Sequence, residues 1–294
     1  MAHYSIKELE HLSGIKAHTI RIWEQRYGLL APQRTGTNIR FYTDADLKML
    51  LNVSLLNEKG YKISRIAKMS ATQVADEILA LATATESDKH LQINALLVAM
   101  IELNEEKFDK ALTTPMLQLG FEKTMLEIVY PFLNRIGILW QTNNICPAHE
   151  HFVSNLIRQK LIVAIDGQVQ GSRQAADGFL LFLPEGELHE LALLFMSYLL
   201  RVRKRHTLYL GQCLPHTDLI AAQKQYQAPY LVTAITSSPE RDQVQTYLNT
   251  LSQDFPEATI LVYGAQVQHG FLEMPANIKR FNLVTDFIST IAQL

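Results

Sequence analysis

The stretch Lys16–Asp46, KAHTIRIWEQRYGLLAPQRTGTNIRFYTDAD, alternates cationic and aromatic residues between two short helical runs. From Ala17 to Tyr27 the period is helical, with Ile20, Trp23 and Tyr27 on one face. His18, Arg21 and Gln25 then point elsewhere, which on a helix that enters a groove means towards bases and phosphates. Gly28 is placed to end the helix, because the residue just past a helix often needs the left-handed backbone that glycine tolerates. In the following LLAPQRTGTNIRFY, Thr-Gly-Thr-Asn lies between two strand-like runs and predicts a hairpin. Arg34 and Arg40 flank that turn, where guanidinium groups can pair with phosphates in a planar fork. The stretch therefore reads as a DNA-binding helix followed by a basic wing. A small helical domain with a solvated basic face is the plainer alternative that spacing alone leaves open.

These residues resemble the MerR family of winged-helix transcription regulators. The resemblance runs through Thr19-Ile20-Arg21-Ile22-Trp23-Glu24-Gln25-Arg26-Tyr27-Gly28-Leu29, then Pro32, Arg34, Arg40, Tyr42 and Asp46. It implies an all-α winged-helix domain over residues 1–75, with DNA contacts from His18, Thr19, Arg21, Arg26, Arg34, Arg40 and Tyr42.

The chain of 294 residues exceeds the usual single-domain length, and its 48% hydrophobic content predicts folded cores. A formal net charge of -2 hides an asymmetry: residues 1–75 carry 11 Lys+Arg against 6 Asp+Glu, and the remainder carries 16 against 23. The nucleic-acid footprint is thus confined to the first part. Cys146 and Cys213 are far apart and outside any CxxC spacing, so the sequence points to neither a disulfide framework nor a zinc knuckle. With no signal core at the N-terminus and no apolar run of membrane-spanning length, a cytoplasmic protein is expected.

In chain order, Ser5-Ile6-Lys7-Glu8 is a capping box that opens a first helix ending at Gly14, and Thr43-Asp44-Ala45-Asp46 opens another. That helix carries an apolar stripe of Leu47, Leu50, Leu51, Ser54 and Leu55 and stops at Gly60. A short helix, Ser64 to Met69, closes the domain. Thr83–Asp88 reads as a linker. From 76 to 167, helices are predicted near His90–Glu102, Glu105–Leu119, Glu122–Leu139 and Ala148–Ile165, a four-helix bundle with a proline kink at Pro131. After a second polar stretch, Gln168–Asp177, the period changes. Strands are predicted at Phe179–Leu183, Thr207–Leu210, Tyr230–Ile235, Thr259–Val262 and Ile278–Phe281. The intervening helices fall near Glu190–Arg203, Thr217–Tyr226 and Arg241–Asp254, with a weaker one after Gly270. Residues 178–294 thus form an α/β doubly wound parallel sheet, which binds ligands at the carboxyl ends of its strands.

The loop after the first of these strands, Pro184 to His189, lies at that edge. A histidine at a helix start is ordinarily a surface residue, but Glu187 two positions earlier is a carboxylate of the kind that fixes the tautomer of a ligating imidazole. Sheet and Glu187-x-His189 together resemble the cobalamin-binding domain, in which such a histidine coordinates cobalt from below. Trp140 followed by Glu150 and His151 is similar to the cap above cobalamin in the CarH-like photoreceptor branch of MerR regulators. The resemblance implies a cofactor site of Trp140, Glu150, His151, Glu187, His189, Ala234, Gly264 and Ala265, with His189 the ligand to the cobalt of cobalamin, adenosylcobalamin among the possible forms.

The sequence departs from that family at several positions. Ala192 stands for a Gly, Ala234 for a Ser against the nucleotide tail, Thr236 for a Leu, and the Gly-Gly pair reads Gly264-Ala265. Each change is small, but a close-packed channel absorbs such changes poorly. Gln141 stands where light-responsive relatives have a histidine that captures cobalt from above, and an amide replaces imidazole poorly in that role.

An enzyme is not expected: no nucleophile has an identifiable base, no GxGxxG or GxxxxGK[ST] phosphate loop is present, and no length remains for a catalytic barrel. The leading reading is a homo-oligomeric (dimer or tetramer) regulator that binds double-stranded promoter DNA and is controlled by cobalamin. A regulator whose C-terminal module is cofactor-free and serves oligomerisation or protein interaction stays open. So does a cobalamin or metal carrier, Glu187, His189, Glu150 and His151 being residue types that suit a transition metal.

Overall fold

The computed structural model describes residues 4–36, 38–70, 73–74, 77, 89–141, 147–169, 178–268 and 271–294, with the backbone alone for 138–141. The linker expected at Thr83–Asp88 lies outside them, as does most of Gln168–Asp177. The chain forms two compact units, Met1–Leu156 and Ile157–Leu294.

In the first unit, α1 (Ile6–Ser13) and α2 (Ala17–Tyr27) precede a hairpin of β1 (Gln33–Arg34) and β2 (Arg40–Phe41), followed by α3 (Asp44–Glu58) and α4 (Ile63–Ile66). Both expected capping boxes are formed, Ser5 with Glu8 and Thr43 with Asp46, so orphan first-turn amides gain acceptors. Ile20 and Trp23 are buried, as their spacing requires, and Gly28 ends α2 at φ 62°. All five residues of the α3 stripe are buried, together with Val53 and Leu56. This wider burial arises because α3 packs on α1 and also on the helix Lys89–Ile101.

The bundle helices are Lys89–Ile101, Glu105–Leu119, Phe121–Thr124 running on through a π-helical turn Met125–Val129 into Tyr130–Gln141, and Pro147–Asp166. The π turn falls immediately before Pro131, where the kink was expected. Proline lacks an N–H and its ring crowds the preceding turn, and the wider i→i−5 spacing, with Tyr130 N–H donating to Met125 O, takes up the misfit.

The second unit holds a five-stranded parallel sheet in the order β4-β3-β5-β6-β7. Its strands are β3 (Gly178–Pro184), β4 (His206–Leu214), β5 (Tyr230–Ala234), β6 (Thr259–Tyr263) and β7 (Ile278–Arg280). Every residue of β3 is buried, the continuous apolar pattern of a strand covered on both faces. Leu180 and Phe182 join Leu219, Leu231, Leu248, Leu251, Ile260 and Val262 in one core, and alternation puts Leu181 and Leu183 on the other face. The helices Leu191–Val202, His216–Tyr226 and Val244–Asp254 follow the expected places. The helix expected after Gly270 does not form among the described residues: a 3-10 turn, Ala265–Val267, stands before β7 instead. A helix the sequence reading did not predict, Val284–Ile291, packs on Leu191–Val202.

Candidate functional sites

On the DNA-binding domain, His18, Arg21, Arg26 and Arg34 are exposed, and Thr19 and Arg40 are half-buried. The turn of the hairpin is closed by Thr35 N–H to Ile39 O at 2.9 Å and Asn38 N–H to Thr35 O at 2.9 Å. Arg34 donates to Asn38 Oδ1 at 2.7 Å, which holds the guanidinium beside that turn. Tyr42 corrects the sequence reading. It is fully buried, paired with Tyr4 by a backbone bridge, and its hydroxyl donates to Glu24 Oε2 at 3.1 Å. Burial, then the nearby Glu24 charge, pushes its pKa up to about 12. Tyr42 therefore supports the wing from inside rather than reaching a phosphate.

Glu24, to which the sequence reading gave no task, is the tie between recognition helix and wing, since Arg40 Nε also donates to its other oxygen at 3.3 Å. Glu24→Ala leaves the buried Tyr42 hydroxyl without its acceptor. It is expected to cost about 1–3 kcal/mol of stability, measured by urea unfolding.

The second site is at the carboxyl ends of β3 and β5, where the chain order of the sheet reverses direction, the position at which doubly wound sheets take ligands. The loop after β3 carries Glu187 and His189. Glu187 is 0% exposed. Its Oε2 accepts the backbone N–H groups of Thr236 (2.8 Å), Ser237 (2.6 Å) and Ser238 (3.0 Å) from the loop after β5. Its Oε1 accepts those of Leu188 and His189, both at 3.0 Å, and the Ser237 hydroxyl at 3.1 Å. His189 Nδ1 lies 2.6 Å from the same oxygen. Burial would raise the Glu187 pKa, but the bonds from His189 and from the Ser237, Ser238 and His189 amides outweigh it and hold the carboxyl well below its ordinary range.

An ionised carboxylate only accepts, so Nδ1 of His189 carries a proton towards Glu187. The ring is half exposed while its supporting carboxylate is sealed, the arrangement of an imidazole oriented for ligation. The end of β4 holds the loop from the other side: Cys213 N–H donates to Glu187 O at 3.2 Å, and Gln212 Nε2 to Leu188 O at 2.6 Å. Among the described residues no group of three or more His, Cys, Asp or Glu is placed to hold a metal ion by itself.

The remaining expected residues fall as follows. Ala234 is fully buried at the end of β5. Gly264, at φ 116°, lies against Ile235, and a Cβ there would stand 2.3 Å from the Ile235 carbonyl oxygen. Ala265 is exposed. Thr236 supplies its backbone N–H to Glu187. Glu150 and His151 lie in the first two turns of Pro147–Asp166, half-buried and exposed respectively. The side chains of Trp140 and Gln141, and Cys146, lie outside the described residues.

A basic helix with a wing, followed by a parallel sheet with a carboxylate-supported histidine at its switch point, defines a DNA-binding protein with a ligand-binding-type module. Residues 4–73 match the MerR HTH family of regulatory proteins and residues 92–164 match the B12 binding domain family. The chain thus joins a MerR-type DNA-binding domain to a B12-binding-type module. It is 27% identical over 258 residues to the HTH-type transcriptional repressor CarH of Myxococcus xanthus, covering 86% of this chain and 85% of that one. To the transcriptional repressor CarA of the same organism it is 26% identical, covering 74% and 71%. Among solved structures, the monomethylamine corrinoid protein of Methanosarcina barkeri shares the fold, with a TM-score of 0.53 at 14% identity over 66% of this chain and 94% of that one.

Proposed function

We propose that this chain is a sequence-specific transcription regulator of the MerR type whose hold on DNA is controlled by cobalamin bound through His189. The observation that carries the reading is the sealed Glu187 carboxylate gripping His189 Nδ1 at the switch point of the sheet. The donor fits the group: an imidazole oriented by a buried carboxylate, which raises its basicity, is a residue that would hold cobalt. When bound, cobalamin would supply a cobalt centre able to exchange a ligand. The protein's own part would be to present His189 at the carboxyl edge of the sheet with its Nδ1 held by Glu187, and Trp140, Glu150 and His151 are the further residues proposed to contact the cofactor. Ala234 and Ala265 stand where the resemblance leads one to expect Ser and Gly at the nucleotide tail, so cobalamin affinity should be lowered while ligation by His189 is retained.

On DNA, α2 supplies His18, Thr19, Arg21 and Arg26, and the wing supplies Arg34 and Arg40, to a promoter palindrome read by a dimer or tetramer of this chain. No helix of the described residues is long and apolar enough to cross a membrane. Reading the chain as a carrier or enzyme leaves the MerR domain without a task, and both relatives over most of the chain are named as repressors.

The test is retention on promoter DNA, measured with and without adenosylcobalamin. A change in affinity on adding the cofactor is expected; equal affinity in both states would leave cobalamin without a regulatory role. The wing is tested in the same assay. Arg34→Ala with Arg40→Ala should weaken binding to all sequences alike and lower the salt slope by about one counterion per lost phosphate contact. An unchanged slope would remove both residues from the phosphate contacts.

A further inference from the structure

Glu190, one residue past His189, is 6% exposed. A carboxylate so buried is costly unless paired, and it is paired twice. Arg158, on the helix Pro147–Asp166, donates through Nε to Oε1, and the Tyr209 hydroxyl of β4 donates to Oε2 at 2.9 Å. Burial and the Glu190 charge hold the Tyr209 phenol protonated far above the ordinary range. Glu190 stands at the N-cap of the helix Leu191–Val202, yet its side chain makes no capping bond there. Helix capping therefore does not account for its position. What its two bonds do is fasten the end of the His189 loop to two other elements.

Glu187 and Glu190 thus bracket His189. The first fixes the imidazole ring; the second fixes the backbone that carries it. The helix reached through Arg158 is the one that carries Glu150 and His151, and Arg158 follows His151 by seven positions, about two turns.

We propose that Glu190 is a positioning residue that ties the His189 loop to the helix Pro147–Asp166 through Arg158, so that ligation at His189 is transmitted to that helix. The transmission rests on the reading of His189 as the cobalt ligand; the tie itself does not. The two are separated by first measuring amide hydrogen exchange on the full chain without cofactor. Glu190→Gln and Arg158→Met should speed exchange of residues 185–190 by about tenfold or more, while β5 and β6 stay unchanged. Tyr209→Phe, which removes one hydrogen bond and keeps the ion pair, should give a smaller rise in the same segment. Arg158→Lys should restore part of the protection lost in Arg158→Met. An unchanged loop, or an equal rise throughout the unit, overturns the tie.

Exchange is then repeated with hydroxocobalamin. In the parent protein, loading should slow exchange of residues 157–166. In Glu190→Gln that slowing should be lost while the visible spectrum still reports imidazole on cobalt. Equal slowing in both overturns the transmission. If the parent takes up no cobalamin, the proposed function and the transmission fail together, and the cofactor-free exchange still decides the tie.

Discussion

Glu187→Ala is expected to lower the stability of the sheet unit by about 3–5 kcal/mol, since several backbone N–H groups lose their acceptor together at about 1–3 kcal/mol for each one left buried and unsatisfied. The loss is large because one carboxylate closes the whole constellation. Without it the backbone N–H groups of Thr236, Ser237 and Ser238 lose their acceptor, as do those of Leu188 and His189. Glu187→Gln keeps the shape but turns an amide donor towards backbone donors, so a smaller loss in the same direction is expected. Urea unfolding of both variants measures this, and a change under about 1 kcal/mol in Glu187→Ala would contradict the role given to the carboxylate. The effect has a pH signature. Hydrogen bonding holds the folded-state pKa of Glu187 below its unfolded value. Its contribution is therefore complete above the ordinary carboxylate range, about pH 4–5, and is lost as pH falls through the lower folded value. The gap in stability between parent and Glu187→Ala should narrow in acid and stay constant from neutral pH down to about pH 5.

Gly264→Ala should also be costly, on the order of 3 kcal/mol from strain and overlap together. Its φ of 116° is one that side chains rarely adopt, and the added Cβ would meet backbone, the Ile235 carbonyl at 2.3 Å, with no flexible side chain to give way. Ile235 is itself locked, its N–H donating to Tyr263 O at 2.7 Å and its carbonyl accepting from Gln266 at 3.1 Å. A shift here moves the loop after β5, whose amides hold Glu187, so the variant should also weaken cobalamin uptake. An Ala variant with parent-like unfolding would show that the backbone can relax. The family resemblance places Gly264 beside a nucleotide tail; its closure on Ile235 is a separate and sufficient reason for glycine.

Local signals in the sequence were reliable where the energetics are local. The period of Ile20 and Trp23, the Ser5 and Thr43 capping boxes, and the continuous apolar runs of β3 and β6 each depend on neighbours a turn or a pleat away, and each formed as read. The fold class followed, because helices alternating with parallel strands leave few arrangements. The Glu187-x-His189 contact was also readable, since a single residue separates the carboxylate from its imidazole. Long-range pairing was not. Tyr42 lies next to a basic wing and reads as a contact to DNA, but its partner Glu24 is 18 positions back and draws it inward. Glu190 looks in the sequence like the first residue of a helix, and its task comes from Arg158, 32 positions earlier, and Tyr209, 19 positions later. At the C-terminus, Val284, Phe287 and Ile291 do keep a helical spacing, but eight residues directly after a short strand offer too little period to separate the two.

The central claim, that His189 is the cobalt ligand of a cobalamin-controlled regulator, is tested most directly by titrating the purified full chain with hydroxo-, methyl- and adenosylcobalamin and following the visible spectrum, with His189→Ala in parallel. The parent should take up cobalamin with imidazole in place of the cofactor's own base, and His189→Ala should lose that signature while keeping its fold. No uptake of any of the three forms by the parent, or an imidazole signature that survives in His189→Ala, would contradict it.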